Sequence, residues 1–243
     1  MLRSRCSFQA ITVLGLLLCT VSSILAQSAE SRADGWIDLP LREGKVWDAC
    51  NFGGDGEVEF QPSQVILNMG DPMTGIRLVK PFPKEAYEFR FEANRLEGFD
   101  FFVGFTFPVA ESHCSLILGG WSGSVVGLSN INGNDASDNP TTRDGEFDNN
   151  RWYRVRVRVD PQAITAWVDD ERIVHQTRRN VEFGIRGEMD PSTPLGISAY
   201  QCKVAYRNIQ YRPLQHPKGP TESAEPPSGS TPRKPPAKVD ASE

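Results

Sequence analysis

Hydrophobic and polar residues alternate with a period of two through the middle of the chain, from about residue 33 to residue 212. Turn-forming residues interrupt this alternation roughly every eight to twelve residues, a spacing typical of short β-strands. No segment shows the 3.6-residue period of an amphipathic helix. The pattern predicts strands at residues 57–60, 65–69, 87–94, 99–107, 115–118, 125–128, 152–159, 164–168, 172–175, 195–200 and 204–211.

This number of strands in one segment of about 180 residues favours an all-β fold with two antiparallel sheets packed as a sandwich. The clearest hairpin joins 152–159 to 164–168 through a turn at Asp160 and Pro161. A second turn at Asp169 and Asp170 leads into the next strand. We therefore expect one domain, residues 33–214.

The two ends of the chain differ in composition from this middle part. Residues 1–26 carry Arg3 and Arg5, then an apolar run and small residues up to Ala26, as in a secretory signal peptide. The apolar run is shorter than a membrane-spanning helix, so we expect no transmembrane segment in the mature chain. Residues 215–243 are rich in proline and lack aromatic residues, which predicts a disordered tail. The expected location is secreted, periplasmic or associated with the cell envelope.

Charge and cysteine content narrow the chemistry. The formal net charge is −5, and removal of residues 1–26 with their two arginines makes it −7. An acidic chain argues against nucleic acid as a partner. Three cysteines remain, Cys50, Cys114 and Cys202, so at most one internal disulfide is expected. Pairing of Cys50 with Cys114, pairing of Cys114 with Cys202, and three buried thiols are all left open.

Alternation also predicts which side of each strand faces the core. Tyr153, Val155, Val157 and Val159 share one side, and the arginines between them share the other. The same reasoning applied to the strands at 87–94 and 164–168 gives one charged, solvent-facing surface. We call it the arginine face: Glu88, Arg90, Glu92, Arg154, Arg156, Arg158 and Trp167.

Guanidinium groups and an indole on one sheet are suited to carbohydrate. Arginine donors fork onto hydroxyls, and the flat ring of Trp167 packs against the C–H side of a sugar. The arginine face is therefore the predicted ligand-binding site, with a glycan as partner. The alternative is a surface whose charges pair across strands and whose Trp167 is covered by an arginine.

Three loops carry further candidates. Trp121 lies in the glycine-rich loop 119–123 and is predicted to contact ligand. Asp100, beside a strand end, is either a site carboxylate or a turn residue. The oxygen-rich loop 130–150 makes calcium the one cofactor worth testing, although its spacing does not match an EF-hand. We expect no other cofactor, since no cysteine and histidine spacing of a metal site is present.

Five sequence motifs together resemble a known fold family. They are YEFRFE at 87–92, WYRVRVRV at 152–159, ITAWVD at 164–169, PLGI at 194–197 and YRNIQY at 206–211. These motifs resemble concanavalin A-like, laminin-G-like jelly rolls and, more narrowly, the 3-keto-disaccharide hydrolase domain family. The similarity runs from about residue 36 to residue 214.

The resemblance implies a carbohydrate-active protein that binds a sugar and hydrolyses it, with Glu92 on the family's acidic position as acid or base. Two segments depart from the family pattern. Residues 199–202 stand where the family has Gln-x-His-Gly, and residues 106–108 replace a typical arginine. These departures favour the alternative function, a non-catalytic module that binds a glycan or a protein in adhesion or at the envelope.

Overall fold

A computed structural model describes residues 34–214 of the chain. The predicted signal peptide, the predicted tail at 215–243 and the first residue of the predicted domain lie outside the described residues. Within 34–214 no helix is long and apolar enough to cross a membrane.

The described chain is an all-β sandwich of two antiparallel sheets, a jelly roll, as predicted. The first sheet, sheet A, has the strand order β13-β12-β11-β6-β15-β4-β3, with β1 also paired to β15. Its strands are β1 Ile37–Asp38, β3 Val58–Phe60, β4 Val65–Leu67, β6 Tyr87–Glu97, β11 Trp152–Val159, β12 Ala163–Val168, β13 Glu171–Thr177 and β15 Lys203–Pro213.

The second sheet, sheet B, has the strand order β10-β9-β8-β7-β14-β5-β2. Its strands are β2 Trp47–Ala49, β5 Met73–Leu78, β7 Val103–Val109, β8 Ser112–Gly119, β9 Val125–Ser129, β10 Arg143–Asp144 and β14 Gly196–Tyr200. A short 3₁₀ helix, Gly187–Ser192, lies in the connection from β13 to β14. Most strands of both sheets were therefore predicted from the alternation of hydrophobic and polar residues.

The core lies between the sheets and is built largely from aromatic and branched side chains. Phe89 of sheet A stacks on Phe105 of sheet B with ring centroids 4.7 Å apart. The buried hydroxyl of Tyr206 donates to the carbonyl oxygen of Phe102 at 2.6 Å. Tyr87 does the same to Pro108 at 2.6 Å. Both tyrosine rings are thus buried with their hydroxyl groups paired.

One predicted strand is wrong at its beginning. Residues 99–107 were expected to form a single strand covered on both sides. Instead β6 continues to Glu97, Gly98 turns the chain at a φ of +96°, and β7 begins at Val103. Phe99 lies in this connection with 64% of its surface exposed. The strands β1, β2, β5 and β10 were not predicted, because short or glycine-containing strands carry little alternation.

The three cysteines are free and buried. The alternative of buried thiols therefore holds, and neither proposed disulfide forms. Burial raises the pKa of Cys50 and of Cys114 to about 12, so both are protonated at neutral pH.

The two outer faces of the sandwich differ in what covers them. On sheet B, two connections form a roof, residues 130–142 after β9 and residues 178–195 after β13. A Cβ atom at Gly127 would lie 3.1 Å from the carbonyl oxygen of Ala136, and one at Gly196 would lie 2.6 Å from that of Ser192. The roof therefore rests on glycines of the sheet. Sheet A carries the arginine face.

Candidate functional site

The arginine face lies on the outer side of sheet A, where alternation predicted it. Across β6 and β11, Arg154 pairs with Glu92, Arg156 with Arg90, and Arg158 with Glu88. Trp167 of β12 lies beside Arg156. The valines and tyrosine between these positions are buried in the core.

Glu88 corrects the expectation that this whole face is solvated. Its side chain is buried, because two arginines cover it. Arg212 Nε donates to Glu88 Oε2 at 2.7 Å, and Arg156 Nη1 donates to Glu88 Oε1 at 3.3 Å. Such a carboxylate is a structural ion-pair centre and is not accessible to a ligand.

The tryptophans of sheet A are already covered by cations. The guanidinium of Arg156 lies 3.8 Å from the ring centroid of Trp167. Arg207 lies 3.9 Å from Trp152 in the same manner. Each arrangement has the geometry of a cation–π contact, so at least one face of each ring is occupied by the protein itself.

Glu92, the predicted acid or base, also has partners. Arg207 Nε donates to its Oε2 at 2.7 Å, and Asn208 Nδ2 donates to its Oε1 at 2.8 Å. Each oxygen thus accepts one hydrogen bond within the sheet and keeps a second acceptor position. Its role as acid or base stays a prediction.

A groove of about 400 Å³ nevertheless crosses the arginine face, between Arg90, Glu92, Arg154, Arg156 and Trp167. Arg154 is tied to Asp170 at 2.8 Å on one side of it. Arg158 pairs with Asp160 at 3.0 Å at the strand end. The sequence-predicted residues are therefore brought together, in a surface whose charges are largely paired.

A second concave surface lies on the outer side of sheet B, beside the roof. We call it the Trp121 cavity. Its volume is about 270 Å³, and its lining is Met73, Asp100, Phe101, Ile117, Trp121, Ser129, Arg186, Glu188, Met189 and Tyr200. Aromatic rings and a few polar groups in one cavity are the usual composition of a small-molecule site.

The aromatic side of this cavity is formed by Trp121, Phe101 and Tyr200. Trp121 is 41% exposed, and within residues 34–214 no ring or cation stacks on its indole. Phe101 and Tyr200 lie beside each other with centroids 5.6 Å apart. In contrast to Trp167, Trp121 presents its ring to solvent.

Trp121 owes this position to a left-handed turn. Trp121 and Ser122 both have positive φ, at +49° and +69°, between glycines that also have positive φ. Left-handed backbone costs a non-glycine residue about 1 kcal/mol. Asp100 holds the turn, because its Oδ2 accepts from the Ser122 N–H at 3.1 Å and its Oδ1 accepts from the Phe101 N–H at 2.7 Å.

The polar side of the cavity belongs to the roof. Arg186 donates to Glu188 at 2.6 Å and to Asp135 at 2.8 Å, which ties the two roof connections together. Burial alone would raise the pKa of Glu188, but hydrogen bonds from its own backbone N–H and from Arg186 outweigh it and lower the pKa. A glycosidic general acid needs the opposite shift. Glu188 is therefore suited to accepting hydrogen bonds.

Sequence reasoning found part of this cavity. It singled out Trp121 and named Asp100 as an alternative, but it missed Tyr200, Arg186 and Glu188. Tyr200 is the last residue of a predicted strand. Alternation along that strand places Tyr200 on the outer side, so its position could have been predicted from the sequence. Arg186 and Glu188 lie in a connection whose sequence has no regular hydrophobic pattern. They come close to the sheet only in the folded chain.

The loop at 130–150, where calcium was considered as a cofactor, is held by its own hydrogen bonds. Asn139 Nδ2 donates to the carbonyl oxygens of Asp135 and Leu128, at 2.6 and 2.7 Å. Asp135 accepts from Ser137 and Arg186. Among residues 34–214 no group of three or more His, Cys, Asp or Glu side chains is arranged to hold a metal ion.

Both departures from the family pattern fall on sheet B. Thr106 is buried on the outer side of β7, where its hydroxyl lies 2.8 Å from that of Ser115. Tyr200 lines the Trp121 cavity, and Gln201 follows it at the strand end. The segments where the family carries arginine and histidine thus lie in or near this cavity.

A family model described as 3-keto-alpha-glucoside-1,2-lyase-like domain matches residues 83–212, more than half of the chain. The chain belongs to this family. No curated protein sequence matches it.

Solved structures share the fold at low sequence identity. A galectin-like protein of unknown function from Bacillus subtilis is 12% identical, with a TM-score of 0.50 over 72% of this chain and 94% of that one. A structure reported with endo-acting O-glycanases of the human gut microbiota is 9% identical, with a TM-score of 0.50 over 73% and 95%. The β-glucanase of Bacillus licheniformis is 10% identical, with a TM-score of 0.49 over 76% and 100%. At these identities the similarity concerns the fold alone.

Proposed function

We propose that this protein binds carbohydrate through the Trp121 cavity on the outer face of sheet B. The observation that carries the proposal is the exposed indole of Trp121, held beside Phe101 and Tyr200 in a cavity that also contains carboxylate and guanidinium groups. The indole supplies a surface for the C–H side of a sugar, and Glu188 and Arg186 supply acceptor and donor atoms for its hydroxyls.

The backbone of the turn supports this assignment. Strained backbone persists only where its surroundings hold it in place, and such strain concentrates at ligand-contacting positions. Here Asp100 fixes two consecutive left-handed residues, and the consequence is an aromatic ring directed to solvent.

The arginine face is our second candidate for the same function. Its groove is larger and contains five of the residues predicted from sequence. A sugar there would have to displace Arg156 from Trp167 or break ion pairs, which lowers the expected affinity. For this reason we place the primary site on sheet B.

The test is a glycan array probed with the purified protein and with two matched variants, Trp121→Ala and Trp167→Ala. Each variant removes one partly exposed indole, from sheet B and from sheet A respectively. We expect Trp121→Ala to weaken binding about tenfold or more and Trp167→Ala to leave it within about twofold, since stacking on an aromatic ring contributes about 0.5–1.5 kcal/mol beyond the area it buries.

Circular dichroism and urea unfolding of both variants provide the folding control. Loss of binding in folded Trp167→Ala alone would move the site to the arginine face. Absence of binding by the unaltered protein across the array would reject carbohydrate binding.

Turnover is a separate and finer proposal, favoured by family membership. The substrates to test are 3-keto-α-glucosides, as the family description implies, together with ordinary disaccharides. Glu92→Gln is the variant that tests its predicted role as acid or base. Turnover unchanged by this substitution would remove Glu92 from any catalytic role, and binding without turnover would establish the non-catalytic alternative.

Export and calcium complete the proposal. We infer that the protein is secreted or held at the envelope, with its signal peptide cleaved near Ala26, and N-terminal sequencing of the exported protein tests this. Repeating the array with calcium and with a chelator tests whether loop 130–150 contributes a cation site. Equal binding in both conditions would exclude a calcium requirement.

A further inference from the structure

We propose that the ligand is a neutral linear oligosaccharide, with one sugar unit in the Trp121 cavity and the next units on Phe99, which forms a second aromatic subsite. This inference rests on the proposed function and adds the ligand class and a residue to it. It makes Phe99 a determinant of chain-length preference.

The size of the cavity limits what it holds. Its volume of about 270 Å³ lies just below the range of about 300–1,000 Å³ found for sites that enclose drug-sized molecules. It therefore has room for one ring-sized group. Any longer ligand must continue across the surface next to Trp121.

Phe99 occupies that neighbouring surface. It is 64% exposed, directly precedes the cavity residues Asp100 and Phe101, and lies against the Trp121 turn. A Cβ atom at Gly123 would lie only 2.5 Å from the carbonyl oxygen of Phe99. The connection from β6 to β7, which contains Phe99, thus lies against the turn from β8 to β9, which contains Trp121.

Exposure of these two rings is unusual within this protein. Among residues 34–214 the exposed large hydrophobic side chains are Met69, Val79, Phe99 and Trp121, and the two aromatic ones lie on adjacent loops. Adjacent exposed aromatic groups mark a binding surface more than scattered ones do. Aromatic rings in a row suit successive sugar rings, because each offers a flat apolar surface.

Both loops are held firmly enough to form a preorganised surface. The carboxylate of Asp100 joins them through the N–H groups of Phe101 and Ser122. Arg95 Nη1 donates to the carbonyl oxygen of Asp100 at 3.1 Å, and Tyr200 N donates to that of Phe101 at 3.0 Å. Preorganisation lowers the entropic cost of binding.

The charges around the cavity favour a neutral chain. Arg186 is paired with Glu188 and Asp135, and the oxygens of Asp100 accept from backbone N–H groups. No unpaired cation of the cavity lining is left to attract a carboxylated or sulfated glycan. The acidic net charge of the protein, −5, acts in the same direction.

The experiment is isothermal titration calorimetry of the purified protein with glucose, xylose and their linear oligomers of two to five units, using α-1,4- and β-1,4-linked glucose and β-1,4-linked xylose. The variants are Phe99→Ala, Trp121→Ala and the matched control Val79→Ala. Val79 is 40% exposed and lies six residues from the cavity residue Met73, about 20 Å along an extended strand.

We expect affinity to rise with chain length in the unaltered protein and in Val79→Ala. For the shortest oligomer that binds, we expect Phe99→Ala to have the same affinity as the unaltered protein. For longer oligomers we expect its affinity to be about threefold to tenfold lower, which is the contribution of one stacked ring. Trp121→Ala is expected to weaken binding of every length.

Three results would overturn the inference while leaving carbohydrate binding intact. One is binding without length dependence, and another is equal behaviour of Phe99→Ala and Val79→Ala at every length. The third is glycan binding on the array with no binding of any of these neutral oligomers. A further result that would overturn the inference comes from analytical sedimentation. Self-association of the unaltered protein that is lost only in Phe99→Ala would show that Phe99 forms a contact between copies of the chain. A failure of the proposed function is distinguishable, because either no glycan would then bind at all or Trp121→Ala would bind oligomers of every length as well as the unaltered protein does.

Discussion

The two outer faces of the sandwich carry similar types of side chain. On sheet A these side chains contact one another, whereas beside sheet B an indole ring is exposed to solvent. Sheet A exposes arginines, acids and tryptophans, but its carboxylates hold its guanidinium groups and those groups cover its indoles. Beside sheet B, by contrast, Trp121 is exposed, and none of the ring and cation contacts within residues 34–214 involves its indole. The comparison teaches that residue type alone does not identify a binding face. The state of each group's existing contacts decides whether a ligand can use it.

The difference arises from the strands themselves. On sheet A, long strands in register place acids opposite arginines at close cross-strand distance, which favours pairing within the sheet. On sheet B, small residues such as Gly104 and Ser198 leave room for connections to lie over the sheet. Cavities form where those connections end. The site that we propose on sheet B therefore lies at these connections, and the rigid sheet supports it.

The largest expected effect tests the structural role of sheet A. Glu88→Ala leaves Arg156 and Arg212 without their shared buried partner. Because these arginines are about one third exposed, water replaces part of the loss, and we expect the free energy of unfolding to fall by about 2–3 kcal/mol. Urea unfolding measures it. Glu92→Ala is the matched control, expected to cost less than about 1 kcal/mol, and equal costs would contradict the distinction between a buried and an accessible carboxylate.

The next effect tests the roof of sheet B. Gly196→Ala places a methyl group 2.6 Å from the carbonyl oxygen of Ser192 and 2.8 Å from that of Ile76, both backbone atoms. We expect a loss of about 1–3 kcal/mol in the free energy of unfolding. Gly184→Ala, in the roof connection that precedes β14 and with open space around it, is the control. A roof that does not rest on the sheet would give two indistinguishable unfolding curves.

A smaller effect concerns the Trp121 turn. Asp100→Asn replaces one accepting oxygen by an NH₂ group that cannot accept from the N–H of Phe101 or Ser122. We expect glycan affinity to fall about tenfold, with a shifted emission maximum of Trp121 fluorescence. The emission of Trp121 is obtained as the difference from Trp121→Phe. Asp148→Asn, at a more distant exposed acid, serves as the control. Unchanged affinity in Asp100→Asn would show that the turn holds without this carboxylate.

The smallest effect is a pH dependence of the roof. The pKa values of Asp135 and Glu188 are lowered, since hydrogen bonds and the charge of Arg186 outweigh burial. A lowered pKa contributes stability above the unfolded-state pKa of about 4, and that stability is lost as the pH falls through the folded-state value. We expect Arg186→Met to reduce the difference in unfolding free energy between pH 6 and pH 3 by less than about 1 kcal/mol. An unchanged difference would mean that Arg186 does not carry this dependence.

The sequence predicted the fold well because alternation records the two-sided environment of a strand. It placed the valines of β11 and the aromatic residues of β6 in the core, and it placed the arginines on the opposite side. It did not predict that Glu88 is buried, because that depends on Arg212 from a strand far away in sequence. The extent of charge pairing across sheet A was therefore left open as an alternative.

The candidate site on sheet B was predicted only in part, for a physical reason. Trp121 stood out because a large aromatic residue lies among glycines. Arg186, Glu188 and Tyr200 join it only through the roof and strand order of the folded chain. Phe99 was assigned to a strand because an apolar run follows it. In the structure Gly98 turns the chain at this point, and Phe99 lies in the connection between two strands.

The most direct test of the central claim follows the indole N–H resonances of the protein by NMR during titration with the glycan that binds best on the array. Single Trp→Phe variants assign the resonances of all five tryptophans, Trp36, Trp47, Trp121, Trp152 and Trp167. We expect the Trp121 signal to move to saturation while the signal of the buried Trp47 and the three signals from the sheet A side stay in place. Movement of Trp167 with an unperturbed Trp121 would contradict the account and return the binding site to the arginine face.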